Sequence, residues 1–232
     1  MFATGTDPES PIYGFENAVL GSSTDPIGTT TNNSRDANCL AAYGTNCANG
    51  SDVLVLRYQA GSNNTGAALG GTEVDNAMFN CAGVPVNTTP ASSTDYIESI
   101  LFISTPTAAN IATFEPALMC KYKDNPGNWV AATTPLVQGI ESFKVLYGTD
   151  GVVVNTAPVP AAPIGTDPTD LVKQPDSIPE RYLSASQLTV AGNDAATKEN
   201  WRRVRSLRIG LVLRGPSGSA QEAKQRNYYP FA

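Results

Sequence analysis

An alternating segment near the end of the chain, SLRIGLVLRG at residues 206–215, constrains the fold more than any other feature. Aliphatic residues occupy every second position: Leu207, Ile209, Leu211 and Leu213. Small or polar residues lie between or beside them: Ser206, Arg208, Gly210 and Arg214. A period of two indicates a half-buried antiparallel strand. We therefore predict that the aliphatic residues face a core and the others face solvent.

Other segments also predict strands. In SDVLVLRYQA, at residues 51–60, one predicted face carries Leu54, Leu56 and Tyr58, and the other Val53, Val55, Arg57 and Gln59. Residues 96–104 and 117–123 are further candidates. In PLVQGIESFKVLYGTDG, at residues 135–151, one face holds Phe143, Val145 and Tyr147, and the other Ser142 and Lys144. The turn that follows predicts a hairpin into VVVN at residues 152–155.

Little helix is expected in this chain. Residues 195–204 predict a short helical turn, with Asn193 or Asp194 as its N-cap. Six prolines in residues 156–179 disfavour a long regular element there. We interpret this stretch as an exposed loop within a single domain spanning residues 1–232, because the strands on both sides need each other as partners. The fold class is therefore α+β and mostly β.

Composition excludes several kinds of active site. The chain of 232 residues contains no histidine, which removes Ser-His-Asp and Cys-His arrangements and most zinc chemistry. A carboxylate pair for glycoside hydrolysis remains an alternative, using Glu98, Glu115, Glu141 or Asp150. Calcium binding by Asp124, Asp150 or Asp167 is explained more simply by Asx-turns. We expect no enzymatic activity, no cofactor and no metal.

The four cysteines indicate an oxidising compartment. Cys39, Cys47, Cys81 and Cys120 lack metal-ligand spacing, and their even number predicts two disulfides. Three pairings are possible. Sequence proximity favours Cys39 with Cys47 and Cys81 with Cys120.

Charge is concentrated towards the carboxyl end. The formal net charge is −6, yet residues 198–232 hold eight basic and two acidic side chains. The possible interaction patch within this region consists of Trp201, Arg202, Arg203, Arg205 and Arg208. It could contact nucleic acid or another anionic polymer, or it could be a solvated strand edge that faces acidic neighbours. We favour the second reading, since the chain as a whole is acidic, and we expect no nucleic-acid partner.

Three blocks in order resemble the PilW-type minor pilins of bacterial type IV pili: SDVLVLRY at 51–58, PLVQGIESFKVLYGTDG at 135–151 and ENWRRVRSLRIGLVLRG at 199–215. The resemblance extends from Pro11 to about Gly215. It implies a type IV pilin-like headgroup, an antiparallel sheet packed against an amino-terminal apolar helix. The longest apolar runs of this chain are too short to span a bilayer. We therefore expect the helix to be missing from this chain, which would leave an apolar patch exposed on the sheet.

The resemblance also implies a role and a location. Minor pilins prime pilus assembly and sit near the pilus tip, with effects on adhesion and twitching motility. The expected partners are other minor pilins, the major pilin and a tip adhesin. The expected location is the inner membrane and periplasm before assembly, through the N-methylated helix, and the extracellular pilus afterwards. Three alternatives stay open: a pseudopilin of type II secretion, a tip adhesin that binds DNA or a receptor, and a carbohydrate enzyme.

Overall fold

The computed structural model describes residues 10–18, 20, 43–44, 47–59, 61, 77–86, 96–106, 110, 113–125, 128–130, 135–158, 177–215 and 230–231. The elements of this part of the chain are antiparallel strands and two short helices. In chain order they are β1 (Ile12–Phe15), β2 (Tyr43–Gly44), β3 (Cys47–Ala48), β4 (Val53–Tyr58), β5 (Ile97–Ile103), β6 (Ala117–Asn125), β7 (Asn128–Val130), β8 (Pro135–Gln138), β9 (Ile140–Thr149), β10 (Arg181–Leu183), α1 (Ala185–Leu188), α2 (Asp194–Arg202) and β11 (Val204–Leu213). The mostly β fold class predicted from the sequence is confirmed.

The larger sheet has the strand order β1-β4-β5-β6-β7, and β8 also pairs with β6. Its strand β4 is buried on both faces at its start, where Val53, Leu54 and Val55 are all almost completely inaccessible. Leu54 packs in the main core, whereas Val53 and Val55 pack in a second cluster with Ile100. An apolar run without polar interruptions is the pattern that such two-sided burial requires.

The smaller sheet has the order β10-β9-β11, and a corner at Gly139 separates its central strand from β8. The sequence predicted one strand across this corner, but β8 pairs with β6 while β9 pairs with β11. Gly139 has a φ of 74°, a conformation that favours glycine. Its N–H donates to the carbonyl of Pro116, and its carbonyl accepts from the N–H of Arg214. The glycine therefore passes the chain from one sheet to the other.

The main core lies between the two sheets and the helices. As predicted, Phe143, Val145 and Tyr147 point into it, each only 1% exposed. Trp201 of α2 packs edge-on against Tyr147, with ring centroids 4.7 Å apart. The predicted N-cap of α2 is also confirmed, because the side chain of Asn193 accepts from the N–H of Ala196 at 3.0 Å.

The predicted hairpin from β9 into residues 152–155 is wrong. The strand that pairs beside the end of β9 is β10, with Leu183 opposite Tyr147. Residues 152–155 instead contact α1: the Asn155 N–H donates to the Gln187 carbonyl, and its side-chain amide donates to the carbonyls of Ser186 and Thr189. These hydrogen bonds to α1 replace those of a hairpin.

The core-facing prediction for β11 is wrong at three of its four aliphatic positions. Leu207 packs against the main core, but Ile209, Leu211 and Leu213 are exposed. The reason is topological. In the described part of the chain β11 pairs with β9 alone, so it is an edge strand that extends past the cover provided by the larger sheet. The prediction that Ser206 and Gly210 face solvent is also corrected, because both are half-buried.

Ser51 and Asp52 join the two sheets at the edge of β9 that β10 leaves uncovered. The Ser51 hydroxyl accepts from the N–H of Phe143 at 3.2 Å, and the N–H of Asp52 donates to the Phe143 carbonyl at 2.8 Å. One oxygen of the Asp52 carboxylate accepts from the N–H of Val145 at 2.9 Å. The other accepts from the N–H of Asn17 and from Lys144 Nζ, each at 3.0 Å. Two residues thus satisfy backbone groups that a longer β10 would otherwise pair.

Burial sets the ionisation of this carboxyl. The pKa of Asp52 is raised above 3.8, because desolvation outweighs the ion pair with Lys144 and the two backbone hydrogen bonds. The folded protein therefore binds a proton here more tightly than the unfolded chain does. Stability from this group is greatest below its unfolded pKa and declines as the pH rises through the folded pKa.

We predict that Asp52→Asn lowers the free energy of unfolding by about 1–3 kcal/mol, because an amide nitrogen cannot accept one of the backbone hydrogen bonds. A protonated carboxyl still offers acceptor lone pairs, so the deficit relative to the wild type should be largest near pH 4 and should shrink as the pH rises from there towards neutrality. Urea unfolding across this range measures it. The exposed Asp194→Asn serves as the control. A deficit that grows with pH would contradict the raised pKa.

Candidate interaction surfaces

The exposed aliphatic side chains of β11 form a continuous strip, which we call the β11 strip: Ile209, Leu211 and Leu213. They are 51%, 41% and 63% exposed. The strip lies on the core side of the smaller sheet, since its members pair with buried residues of β9, namely Val145, Phe143 and Ile140. The strip therefore extends the core-facing side of β9 onto β11, where nothing in the described part of the chain covers it.

The strip points towards a further exposed aliphatic residue, which lies on β8 of the larger sheet. Leu213 pairs with Ile140, next to the corner glycine, and Val137 of β8 lies just before that corner and is 44% exposed. Val137 pairs with Leu118, which packs against the main core. The margin of the core at this end is consequently aliphatic on both sheets.

On the opposite face of β11, an arginine side chain packs against an aromatic ring of β10. Arg208 lies over the ring of Tyr182, with its guanidinium carbon 3.7 Å from the ring centroid. Ser206 donates to the Tyr182 hydroxyl at 3.1 Å, and Gly148 leaves room for both contacts because it has no side chain. The hydrogen bond from Ser206, with help from Arg208, lowers the pKa of Tyr182. The face opposite the strip thus carries a cation, which the strip itself lacks.

The structure separates the residues of the predicted basic patch. Trp201 is buried in the core at 7% exposure and does not lie beside the arginines on the surface. Arg202 pairs with Glu199, Arg203 donates to the Gly151 carbonyl, and Arg205 Nε lies 3.3 Å from the buried carboxylate of Asp150. These arginines bind neighbouring groups of the same fold. Their use as a contact for another molecule stays a prediction.

Three of the four carboxylates considered for catalysis have cationic neighbours. Glu98 pairs with Arg57 and Lys123, Glu141 with Arg214, and Asp150 with Arg205. Glu115 lies near the corner glycine of β8 and β9. In the residues that the structure describes, no group of three or more His, Cys, Asp or Glu side chains could hold a metal ion. Asp167 and the side chain of Asp124 lie outside the described part.

A disulfide joins Cys81 to Cys120, the pairing that sequence proximity favoured, with Cα atoms 5.8 Å apart. It fastens the loop at residues 77–86 to β6. Beneath this loop, Val86 and Ile97 form a small cluster with Tyr58 and Met78. Cys39 and the side chain of Cys47 lie outside the described residues, so their pairing stays a prediction.

No helix within the described ranges is long and apolar enough to cross a membrane. The fold and its surfaces define the class of protein. It is a mostly β protein of antiparallel sheets with a disulfide that joins a loop to β6, and it presents an aliphatic strip on an edge strand. A family model described as Type IV Pilus-assembly protein W (PilW) matches residues 100–232, more than half of the chain. The chain belongs to this family, which links it to type IV pilus assembly. No curated protein and no solved structure matches it.

Sequence reasoning expected an exposed apolar patch on the sheet but did not place it on β11, and it missed Asp52 as the link between the sheets. The alternation in β11 was visible, but a core strand and an uncovered edge strand have the same pattern. Nothing in SDVLVL distinguishes a buried aspartate from one in a turn, because its partners Lys144 and Val145 lie more than 90 residues away.

We predict that Arg205→Ala lowers the free energy of unfolding by about 1–3 kcal/mol, because Asp150 is fully buried and loses a charged partner. Arg202→Ala should cost less than about 1 kcal/mol, since its partner Glu199 is half exposed. Urea unfolding measures both. Fluorescence anisotropy with labelled DNA at low salt should detect no binding. Salt-sensitive binding that Arg202→Ala abolishes without loss of stability would instead identify a nucleic-acid surface.

We predict that the paired substitutions Cys81→Ser and Cys120→Ser lower the free energy of unfolding by about 2–4 kcal/mol, as expected for a cross-link spanning 39 residues. Denaturant unfolding measures the loss. The double variant keeps Cys39 and Cys47, so a further loss on adding reductant would report a second disulfide. An unchanged stability in the double variant would contradict a structural role for the first.

Proposed function

We propose that this chain is the single-domain head of a minor pilin that helps prime type IV pilus assembly and takes a place near the pilus tip. The family match supports the link to the pilus, and the β11 strip supports a role as an assembly subunit. In this proposal residues 1–232 form one domain. The main core supports this, since it joins residues of both sheets and of both helices.

The β11 strip is the single observation that carries the proposal. Natural edge strands usually avoid exposed aliphatic side chains, using charges, proline or bulges to block association. Here the core side of β11 has no charge along Leu207 to Leu213, and three of its four aliphatic residues are exposed. A soluble monomer gains nothing from such a strip, whereas an assembly subunit can bury it.

An apolar helix is the element that suits the strip best. The three residues lie at alternate positions of one strand, so they span about 14 Å, and about nine helical residues cover that length. Val137 lies at the margin of the same core on the other sheet, which would give a helix a second aliphatic contact. We propose that the occupant is the apolar amino-terminal helix implied by the resemblance to pilins, either from the same protein or from a neighbouring pilin.

Partners and location follow from this assignment. We propose contacts with other minor pilins and with the major pilin, residence in the inner membrane and periplasm before assembly, and incorporation into the extracellular pilus. The disulfide fits an oxidising periplasm. Effects on twitching motility and adhesion would follow indirectly, through the number of pili that assemble. The family description favours pilus assembly over type II secretion.

We predict that Leu213→Lys prevents function without unfolding the protein. The side chain is 63% exposed, so a lysine there should change the free energy of unfolding by less than about 1 kcal/mol. It should reduce the recovery of minor pilins with the protein, and the number of surface pili, by about tenfold or more when expressed in its own cell envelope. Co-purification and electron microscopy of pili measure these effects.

Ile178→Lys is the matched control, because Ile178 is also 63% exposed, but its neighbour Ser177 binds Asp150, just beyond the end of β9 that is farther from the strip. This variant should assemble pili normally. Normal piliation with Leu213→Lys and with Leu211→Lys would refute the proposed role of the strip. Loss of protein secretion with normal piliation would support the pseudopilin alternative instead.

A further inference from the structure

Strand β11 exposes one backbone edge, and the hydrogen bonds of β9 show which residues form it. Phe143 and Val145 of β9 direct backbone groups at Ser51 and Asp52, away from β11. In an antiparallel pair, residues that exchange both hydrogen bonds with the partner strand alternate with residues whose backbone groups point away from it. The residues of β9 that bond to β11 are therefore 142, 144 and 146.

The exposed edge consists of the backbone N–H and C=O groups of Leu207, Ile209 and Leu211, which we call the β11 edge. Residues 208, 210 and 212 lie opposite residues 146, 144 and 142 of β9, so they exchange the hydrogen bonds of that pair. The backbone groups of the residues between them point the other way. Within the described ranges β11 pairs with β9 alone, and no hydrogen bond reaches the β11 edge.

The middle of the β11 edge lacks the usual protection of an edge strand. Natural edges are blocked by proline, by bulges or by charges. The irregularities in the β9–β11 register lie near the ends of β11, at residues 204–206 and 212–213. Residues 206–212 contain no proline, and Arg208 is their only charge. Its guanidinium lies over the ring of Tyr182, which belongs to β10 beyond β9, so this side chain leans inward and leaves the edge open.

The charges around the β11 edge favour an acidic partner. Residues 204–214 carry three arginines and no acidic residue. Two of the arginines pair with carboxylates of the same fold, whereas Arg208, within the described part of the chain, contacts an aromatic ring and no carboxylate. Pro230 and Phe231 pack at Gly210 on the same face, which leaves the exposed Arg208 as the charged group beside the edge. A second copy of β11 would bring further arginines here, whereas an acidic residue opposite Arg208 would form a favourable cross-strand pair.

We propose that the β11 edge binds an extended segment of a partner protein, which adds to the smaller sheet as an antiparallel strand. The chemistry of the segment follows from the two faces of β11. Residues opposite Ile209 and Leu211 lie on the core side and should be aliphatic, whereas those on the other face should include an acidic residue opposite Arg208. The inference goes beyond the function proposed above, because it rests on backbone groups and holds whatever covers the β11 strip.

The probe for this edge is a synthetic peptide of about seven residues with blocked ends, in which valine and glutamate alternate. In antiparallel pairing its valines lie opposite Ile209 and Leu211, so the valine N–H groups bond to the β11 edge while the glutamate N–H groups point away. N-methylation of the valines should therefore abolish binding, measured by isothermal titration calorimetry, and N-methylation of the glutamates should leave the affinity unchanged. Equal losses with the two methylated peptides, or no binding of the unmodified peptide, would overturn the proposal.

Amide hydrogen exchange followed by NMR locates the bound peptide. In the free protein the amides of Ile209 and Leu211 should exchange rapidly, while those of Arg208 and Gly210, which bond to β9, should be protected. At a peptide concentration of about ten times Kd, exchange at Ile209 and Leu211 should slow by about tenfold. Binding that leaves these two amides unprotected would overturn the site assignment.

Leu211→Pro blocks the edge from the side of the protein. Proline removes an N–H that points to the edge and none that bonds to β9, which is a position where edge strands tolerate it. The variant should lose peptide binding, and thermal unfolding should show that it stays folded. Leu211→Val is the matched control, because it keeps the N–H, and it should bind the peptide as the wild type does. If Leu211→Pro unfolds, the two methylated peptides still decide the question.

A second peptide tests the preference for an acidic partner. With lysine in place of glutamate the peptide should bind about fivefold more weakly at physiological salt, and Arg208→Gln should remove this difference. Equal binding of the two peptides to the wild type would overturn the acidic assignment. Analytical ultracentrifugation examines the remaining occupant. Self-association of the protein that Leu211→Pro abolishes would assign the edge to a second copy and overturn the proposed partner.

Discussion

The two sheets of this protein depend on how one edge of β9 is satisfied. Strand β10 has three residues and pairs only with the end of β9, so Phe143 and Val145 would present unpaired backbone groups in the interior. Ser51 and Asp52 accept and donate the missing hydrogen bonds. Buried backbone groups without partners are costly, and this junction therefore fixes β4 against β9. Closing the core between the sheets without those hydrogen bonds would leave these backbone groups unpaired, at a cost of about 1–3 kcal/mol each.

The other edge of β9 has its backbone groups paired, but the strand that pairs with it is left uncovered. There β11 pairs with β9 along its length, but the cover over the core ends at β9. The aliphatic residues of β11 are consequently left at the margin of the core. Strand β9 thus binds the larger sheet through Asp52 at one edge. At its other edge it pairs with β11, whose exposed aliphatic side chains suit a partner. The proposed assembly role follows from this asymmetry and needs no catalytic group.

Several features could be predicted because they depend on residues near one another in sequence. The alternation in β9 and β11, the N-cap at Asn193 and the link between Cys81 and Cys120 are local or pairwise signals, and all of them are found in the structure. The resemblance to PilW proteins rests on the order of three short sequence blocks, and a family match over residues 100–232 supports it. The block at 51–58 lies before that match, although β4 forms there as predicted.

The sequence by itself determined where several strands and helix α2 lie and which of their side chains share a face. It did so because backbone geometry alternates side chains with a period of two, and capping depends on near neighbours. Tertiary structure alone decided which face is covered. The exposure of Ile209 and the burial of Trp201 both depend on contacts between elements distant in sequence. A pattern of aliphatic residues specifies that a face must be buried, but only the packed chain shows whether it covers that face itself or leaves it for a partner.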